Sequence, residues 1–142
     1  WLAGTTNAYT PQLIAQVEEL GLPSLIKFLG YVPYTQLPIL MNQAIALVFP
    51  TLWEGFGLPI LEAMACGTPV ITSNLSSMPE VAGDAALLVN PYSVGEITAA
   101  MQAVATDSKL RSNLKTASLA RADRFSWSKT GAATANILQQ YL

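Results

Sequence analysis

The sequence predicts an α/β fold in which a parallel sheet carries helices on both faces. Two short apolar runs, at 44–49 and 69–72, show no alternation of polar and apolar residues, as expected for strands buried on both faces. Segments with apolar residues at helical spacing lie between the predicted strands. In addition, 51% of the chain is apolar and only 11% is charged, so its 142 residues can build one domain with a substantial core.

The first half of the chain is predicted to alternate strands and helices. Trp1 to Ala3 is typical of a strand end, and Thr10 followed by Pro11 is typical of an N-cap and a first helical turn. The remaining predicted elements are a helix that stops at Gly21, a strand at 25–29 that ends at Gly30, a helix from Pro33 to about Gln43, and the strand at 44–49.

The second half continues the same alternation. The predicted elements are a helix that starts at Pro59 and stops at Gly67, a strand at 69–72, a short helix at 77–81, a strand at 86–89, helices at 93–105 and 107–122, and a last helix capped by Ser126. In open parallel sheets, ligands bind past the carboxyl ends of the strands. That rule places a candidate site among residues 30–33, 50–58 and 73–77.

Charge and hydropathy exclude two classes of partner. The seven basic residues are scattered and the net charge is −2, so the chain lacks the basic stripe that nucleic-acid binding requires. The longest apolar region, 37–53, is too short and too interrupted to span a membrane. The chain begins at Trp1 without the basic and apolar segments of a secretory signal, and we expect it to be a cytoplasmic piece of a longer protein.

Some common catalytic chemistries are also excluded. The chain has no histidine, which removes Ser-His and Cys-His catalysis and the commonest metal ligand. Cys66 is the only cysteine, so no disulfide can form within the chain. We expect Cys66 to be a small core residue at the end of its helix.

Two glutamates flank a glycine loop at residues 54–62. Gly55 and Gly57 permit backbone conformations and close approaches that side chains forbid. The helix that starts near Leu58 should present unpaired N–H groups and partial positive charge to an anion such as a diphosphate. A carboxylate one turn further on, Glu62, can accept hydrogen bonds from a ribose diol, and Glu54 can meet a second polyol. This order fits the sugar, diphosphate and ribose of a nucleotide-sugar.

The residues alone leave other interpretations open. Gly-x-Gly is common in turns, Glu54 could be a solvated loop residue, and Glu62 could cap or pair with a neighbour. Two carboxylates could also serve glycoside hydrolysis by flanking the scissile bond, although this does not explain the helix start between them.

The sequence resembles a known family over essentially its whole length. The segments FLGYV at 28–32, VFPTLWEGFGLPILEAMACGTPVITSN at 48–74, MPEVAGDAALLVNP at 78–91 and FSW at 125–127 are similar to the C-terminal domain of retaining glycosyltransferases of group 1, or family 4. The resemblance implies a Rossmann-like domain, the C-terminal half of a GT-B fold. It also implies transfer of a hexose from a nucleotide-diphosphate sugar with retention, and no cofactor or divalent metal.

The resemblance assigns roles to matching residues. It implies that Glu54 contacts the transferred sugar and is the catalytic residue of this domain, and that Glu62 binds the ribose. The backbone of Gly55, Phe56, Gly57 and Leu58 would approach the sugar and the diphosphate. Tyr31 and Val32 would lie beside the nucleobase.

The chain departs from the family pattern at its N-terminal side. A first strand-helix unit, which carries an Arg/Lys pair that grips the diphosphate, is missing, as is the N-terminal acceptor domain. Lys27 lies in a strand pattern and is expected to be an edge residue rather than a substitute for that pair. We therefore expect this chain alone to bind a nucleotide-sugar weakly and to transfer nothing. The parent could associate with the inner face of a membrane through the missing domain.

A second hypothesis is a non-catalytic interaction module that keeps the fold. It ranks below the enzyme because both glutamates and both glycines are present. The Pro79-Glu80 pair also resembles the family, and we expect Glu80 to be structural, capping or pairing with a neighbour. Trp53 and Tyr31 could stack on a sugar or a base, or simply line a cleft.

Overall fold

The computed structural model describes residues 1–141, which form two compact units, Trp1–Leu37 and a second that begins at Pro38. The first unit contains the strand β1 (Leu2–Ala3), the helix α1 (Thr10–Glu19) and the strand β2 (Phe28–Gly30). The two strands pair in parallel, with Leu2 opposite Phe28 and Ala3 opposite Gly30. Both strands and the helix overlap the segments predicted for them, although β2 begins at Phe28 rather than at residue 25.

Two details of the first unit differ from the prediction. Thr10 is the first residue of α1 rather than its N-cap, and its hydroxyl accepts a hydrogen bond from the amide of Asn7 at 2.9 Å. Lys27 precedes β2 instead of lying within it, and its side chain is exposed. Its ammonium lies 5.7 Å from the ring centroid of Trp1, which is the geometry of a cation–π contact.

The remaining helices and strands lie in the second unit, apart from Leu37 at the start of the next helix. In chain order they are α2 (Leu37–Gln43), β3 (Leu47–Phe49), α3 (Leu58–Ala65), β4 (Val70–Ser73), α4 (Met78–Ala82), a 3₁₀ turn (Gly83–Ala85), β5 (Leu87–Val89), α5 (Val94–Thr106), α6 (Ser108–Ala122) and α7 (Trp127–Leu138). Strands β3, β4 and β5 form a parallel sheet in that order. Over residues 1–141 the strands thus make two parallel sheets, whereas the sequence predicted one.

The sheet of the second unit has helices on both faces, as predicted. Val70 of β4 packs in a cluster with α3 and α4, whereas its neighbour Ile71 packs in a second cluster with α5 and α6. Successive side chains of a strand point to opposite faces, so the two clusters lie on opposite sides of β4. All four residues of β4 are buried, but β3 is only half-buried because it is an edge strand of this sheet.

The first cluster surrounds the helix that carries the candidate site. Its buried members are Ile60, Ala63, Met64, Val70, Met78, Val81, Ala82 and Ala85. Burying a side chain the size of Ile60 or Met64 stabilises a fold by about 1.5–3 kcal/mol. This packing fixes α3, and with it the loop that precedes α3, against the sheet.

The helix cap predicted at Ser126 is confirmed, and Ser93 and Asp107, which the sequence predicted as the first residues of their helices, are also N-caps. Each side-chain oxygen accepts a hydrogen bond from the amide three residues further on. For Asp107 the acceptor is Oδ1, 2.9 Å from the amide nitrogen of Leu110. Such a bond satisfies one of the amides that the first turn of a helix leaves unpaired.

Replacing Asp107 with alanine should therefore destabilise the domain. We expect the free energy of unfolding to fall by about 1 kcal/mol, because the amide of Leu110 loses its partner. Urea denaturation followed by circular dichroism would measure the change. Asp107→Asn keeps an acceptor and is expected to stay near the wild-type value, whereas an equal loss in both variants would contradict a capping role.

Candidate functional site

The loop between β3 and α3 contains the first glutamate of the motif and both glycines. Glu54 is half-buried, Gly55 and Phe56 are exposed, and Gly57 is buried. The loop leaves the carboxyl end of β3, where ligands bind in parallel sheets. We call residues 54–58 the glutamate-glycine loop.

Two serines from the turn after β4 hold the backbone of this loop. The hydroxyl of Ser76 donates to the carbonyl of Glu54 at 2.8 Å and lies 3.4 Å from the amide of Glu54. The hydroxyl of Ser77 lies 3.0 Å from the carbonyl of Glu54 and 3.1 Å from the carbonyl of Phe56. The carboxyl ends of β3 and β4 are thereby tied together at the site.

The two glycines of the loop differ in their backbone conformation and in the space available for a side chain. Gly57 has φ +100°, and a Cβ built on it would lie 2.3 Å from Cε of Met78. The positive φ favours glycine at this position, and any larger residue would also require the end of the Met78 side chain to shift. Gly55 has no left-handed φ, and a Cβ there would meet no atom within 4 Å. The prediction that both glycines allow a special backbone conformation is therefore right for Gly57 and wrong for Gly55.

The start of α3 offers fewer free amides than expected. Gly57 is the N-cap, and Leu58 is the first helical residue. Pro59 has no N–H, and the amide of Ile60 already donates to the carbonyl of Gly57 at 3.1 Å. The amides of Gly57 and Leu58 remain as the ones that could face an anion at this terminus.

The second glutamate, Glu62, lies one turn into α3 and is half-buried. Its neighbours Ile60, Ala63 and Met64 are buried in the core, so the helix holds the carboxylate in a fixed place relative to the loop. One turn further on, burial raises the pKa of the Cys66 thiol, and the carboxylate of Glu62 raises it further. Cys66 is half-buried, not the core residue that the sequence predicted.

An aromatic contact holds the side chain of the loop residue Phe56. Its ring packs edge-to-face on Phe125 with centroids 6.1 Å apart. The guanidinium of Arg121 lies 5.1 Å from the centroid of Phe125 and donates from Nε to the carbonyl of Val81 at 2.9 Å. A second nitrogen of Arg121 donates to the carbonyl of Glu80. The end of α6 thus connects the loop with α4.

The sequence placed Ser76 and Ser77 in the candidate region 73–77 without assigning them a role, and it assigned no role in the site to Arg121 or Phe125. The serines follow a predicted strand at its carboxyl end, and Phe125 belongs to the FSW segment, so the sequence contained a signal for the serines and for Phe125.

Glu80 has an exposed side chain, and Ser77, the N-cap of α4, makes no side-chain capping bond. The structural contribution of Glu80 comes instead from its backbone carbonyl, which Arg121 contacts.

Tyr31 and Val32 belong to the first unit, directly after β2. Tyr31 is 73% exposed and Val32 is half-buried. An exposed tyrosine at the carboxyl end of a strand is free to stack on a ring. Their contact with a nucleobase stays a prediction.

Neither a metal cluster nor a membrane span is found in the part of the chain that the structure describes. Residues 1–141 contain no group of three or more histidine, cysteine, aspartate or glutamate side chains that could hold a metal ion. Within the same residues, every helix is too short or too polar to cross a bilayer.

The model of the family "Glycosyl transferases group 1" matches residues 2–121. The chain belongs to this family. Among its relatives, the O-antigen chain mannosyltransferase B of Escherichia coli is 46% identical over 111 residues, which cover 78% of this chain and 29% of that protein. The MMP alpha-(1->4)-mannosyltransferase of Mycolicibacterium hassiacum is 33% identical over 138 residues, which cover 94% of this chain and 33% of that protein. This group 1 chain thus spans about a third or less of these relatives.

Solved structures agree with the family assignment. The Anabaena protein HepE, in complex with UDP and glucose, superposes with a TM-score of 0.89 and 26% identity over 98% of this chain and 40% of that one. The C-terminal domain of a group 1 glycosyl transferase (LpcC) from Francisella tularensis superposes with a TM-score of 0.75 and 28% identity, covering 87% of this chain and 69% of that one. The chain therefore has the Rossmann-like fold of the C-terminal half of a GT-B glycosyltransferase.

Proposed function

We propose that this chain is the donor-binding domain of an enzyme that transfers mannose from a nucleotide-diphosphate sugar to an acceptor, with retention of configuration. The glutamate-glycine loop, which the serine pair fixes next to the start of α3, carries this proposal. The choice of mannose is supported by relatives from three bacteria that are named mannosyltransferases. Binding of a nucleotide-sugar is supported by the HepE structure, which contains UDP and glucose.

Each part of the site takes one part of the donor in this proposal. Glu54 accepts hydrogen bonds from hydroxyls of the transferred sugar and is the catalytic residue of this domain. The backbone from Gly55 to Leu58 approaches the sugar and the diphosphate, and Glu62 binds the ribose diol. Tyr31 and Val32 contact the nucleobase. The diphosphate leaves while the acceptor attacks from the same face of the sugar, which retains the configuration.

Electrostatics determines what this chain can do alone. A helix start stabilises an anion by about 0.3–2 kcal/mol, and α3 contributes only two amides to that end. A departing diphosphate needs more stabilisation than this. We propose that a basic Arg/Lys pair from a preceding strand-helix unit supplies it without a divalent metal, and that transfer needs the acceptor domain of the parent.

The structure is consistent with a preceding strand. Within residues 38–141, β3 pairs only with β4, so its other edge is open to a further parallel strand. Two solved structures that this chain resembles are likewise longer, since the chain covers 37% and 40% of them. We also propose that the parent acts in the cytoplasm, where nucleotide-sugars are made, and that any attachment to the inner face of the membrane involves the acceptor domain.

A calorimetric titration tests this proposal. The full-length parent would be titrated with UDP, GDP and ADP and with their mannose and glucose conjugates, and this 142-residue chain would be titrated in parallel. We expect one nucleotide to bind selectively, the parent to prefer its mannose conjugate, and the isolated chain to bind the same nucleotide more weakly. Chelation of divalent metals should leave binding and transfer unchanged. Failure of the parent to bind any of these nucleotides would contradict the proposed function.

A further inference from the structure

The hydroxyl of Ser77 does not make the capping hydrogen bond that the local sequence predicts. Ser77-Met78-Pro79-Glu80 has the S-x-x-E pattern of a capping box, in which the serine hydroxyl bonds the backbone of its own helix. Ser77 is indeed the N-cap of α4, but its side chain makes no capping bond. Its oxygen lies instead 3.0 and 3.1 Å from the carbonyls of Glu54 and Phe56, more than twenty residues earlier in the chain.

Ser76 reaches the same carbonyl from a strained backbone. Its φ of +56° is the only left-handed value of a non-glycine residue in the part of the chain that the structure describes. Such a conformation costs about 1–3 kcal/mol and persists where the surroundings require it. Here it brings the Ser76 hydroxyl to 2.8 Å from the carbonyl oxygen of Glu54.

These bonds determine which way the loop amides point. In a trans peptide the carbonyl and the N–H of the next residue point in opposite directions, and residues 1–141 contain no cis peptide. Because the carbonyls of Glu54 and Phe56 point toward the serines, the N–H groups of Gly55 and Gly57 point away from them. Both N–H groups therefore face the side opposite the serine pair, and the N–H of Gly57 belongs to the N-cap of α3.

We propose that Ser77, assisted by Ser76, is a positioning residue that aims the amides of Gly55 and Gly57 at the diphosphate of the donor. This inference rests on the proposed function. Without the serine hydroxyls, either peptide group could rotate and turn its carbonyl toward the diphosphate, which would repel it. The serines act through the loop and do not touch the donor themselves.

Ser77→Ala in the full-length parent tests the inference. Calorimetry would give the dissociation constants of UDP, GDP and ADP, and thermal unfolding would give the stability of each variant. We expect the dissociation constant of the preferred diphosphate to rise about five- to tenfold, the effect of losing one or two neutral hydrogen bonds. Ser77→Thr keeps the hydroxyl and should restore most of the affinity.

Ser93→Ala is the matched control. Ser93 is also an N-cap serine, and its hydroxyl accepts from the amide of Glu96 at 3.2 Å, away from the loop. We expect Ser93→Ala to lower the unfolding temperature but to leave the dissociation constant unchanged. This control distinguishes a loss of stability from a loss of amide orientation in the loop. Ser76→Gly removes the second hydroxyl while relieving the positive φ, so it should weaken diphosphate binding two- to fivefold without destabilising the domain.

The outcomes separate this inference from the proposed function. Binding by wild type with an unchanged constant in Ser77→Ala would overturn the positioning role and leave the proposed function standing. Failure of Ser77→Thr to restore affinity would also overturn it, since the hydroxyl would not be the responsible group. Absence of nucleotide binding by wild type would overturn both. If Ser77→Ala does not fold, the dissociation constant of Ser76→Gly tests the inference instead. A two- to fivefold rise would support the positioning role, and an unchanged constant would overturn it.

Discussion

Glu62→Ala is expected to abolish detectable nucleotide binding by the full-length parent. A carboxylate that accepts two hydrogen bonds from a ribose diol contributes about 1.5–3 kcal/mol for each bond. Losing both would weaken binding by roughly 3–6 kcal/mol, or about 10²- to 10⁴-fold. Calorimetric titration with the preferred nucleoside diphosphate measures this change directly.

The folding of this variant can be checked independently of the ligand. Glu62 is half-buried on α3, and alanine is the best helix former, so we expect no loss of stability. The Glu62 carboxylate contributes to the raised pKa of the Cys66 thiol, and its removal should lower that pKa. Cys66 should then react faster with iodoacetamide at a fixed pH, because more of it is thiolate.

Glu80→Ala provides the matched control. Glu80 is an exposed glutamate in the first turn of α4, so its removal takes away one negative charge without touching α3. Its affinity should equal that of wild type. If Glu62→Ala bound nucleotide as tightly as Glu80→Ala, the ribose role would be wrong, and a non-catalytic interaction module would become the better hypothesis.

Local sequence signals predicted the elements well because they act within a few residues. The cap at Ser126 and the proline in the first turn of α3 were placed correctly from spacing and residue type alone, and Ser93 and Asp107 were correctly placed at the starts of their helices. Each of these signals works through hydrogen bonds or steric limits that span three or four positions.

Features of the site that depend on distant contacts were not predictable in this way. The Ser77-to-Glu80 segment has a good capping pattern, yet contact with a loop more than twenty residues away determines where the Ser77 hydroxyl bonds. The difference between Gly55 and Gly57 has the same origin, because tertiary packing gives Gly57 its φ of +100° and places Met78 beside it. The half-buried state of β3 likewise depends on which strands pair with it.

Gly57→Ala should have the largest effect on the fold of any change in the glutamate-glycine loop. Alanine at φ +100° is strained by about 1–3 kcal/mol, and its Cβ would overlap Cε of the buried Met78. Overpacking of this kind costs about another 1–3 kcal/mol, less where a flexible methionine can shift. We expect the free energy of unfolding to fall by about 2–5 kcal/mol, as measured by urea denaturation of this chain, and donor binding to be lost with it.

Gly55→Ala tests whether donor binding requires glycine at a position where the stability of the fold does not. A Cβ at Gly55 meets no protein atom within 4 Å and the residue has no left-handed φ, so the variant should be as stable as wild type or slightly more so. If the loop backbone approaches the diphosphate, the added methyl group would keep it away, and affinity for the nucleotide-sugar should fall although the fold is intact. Unchanged affinity in a stable Gly55→Ala variant would mean that the donor contacts the loop only from Gly57 onward, at the start of α3.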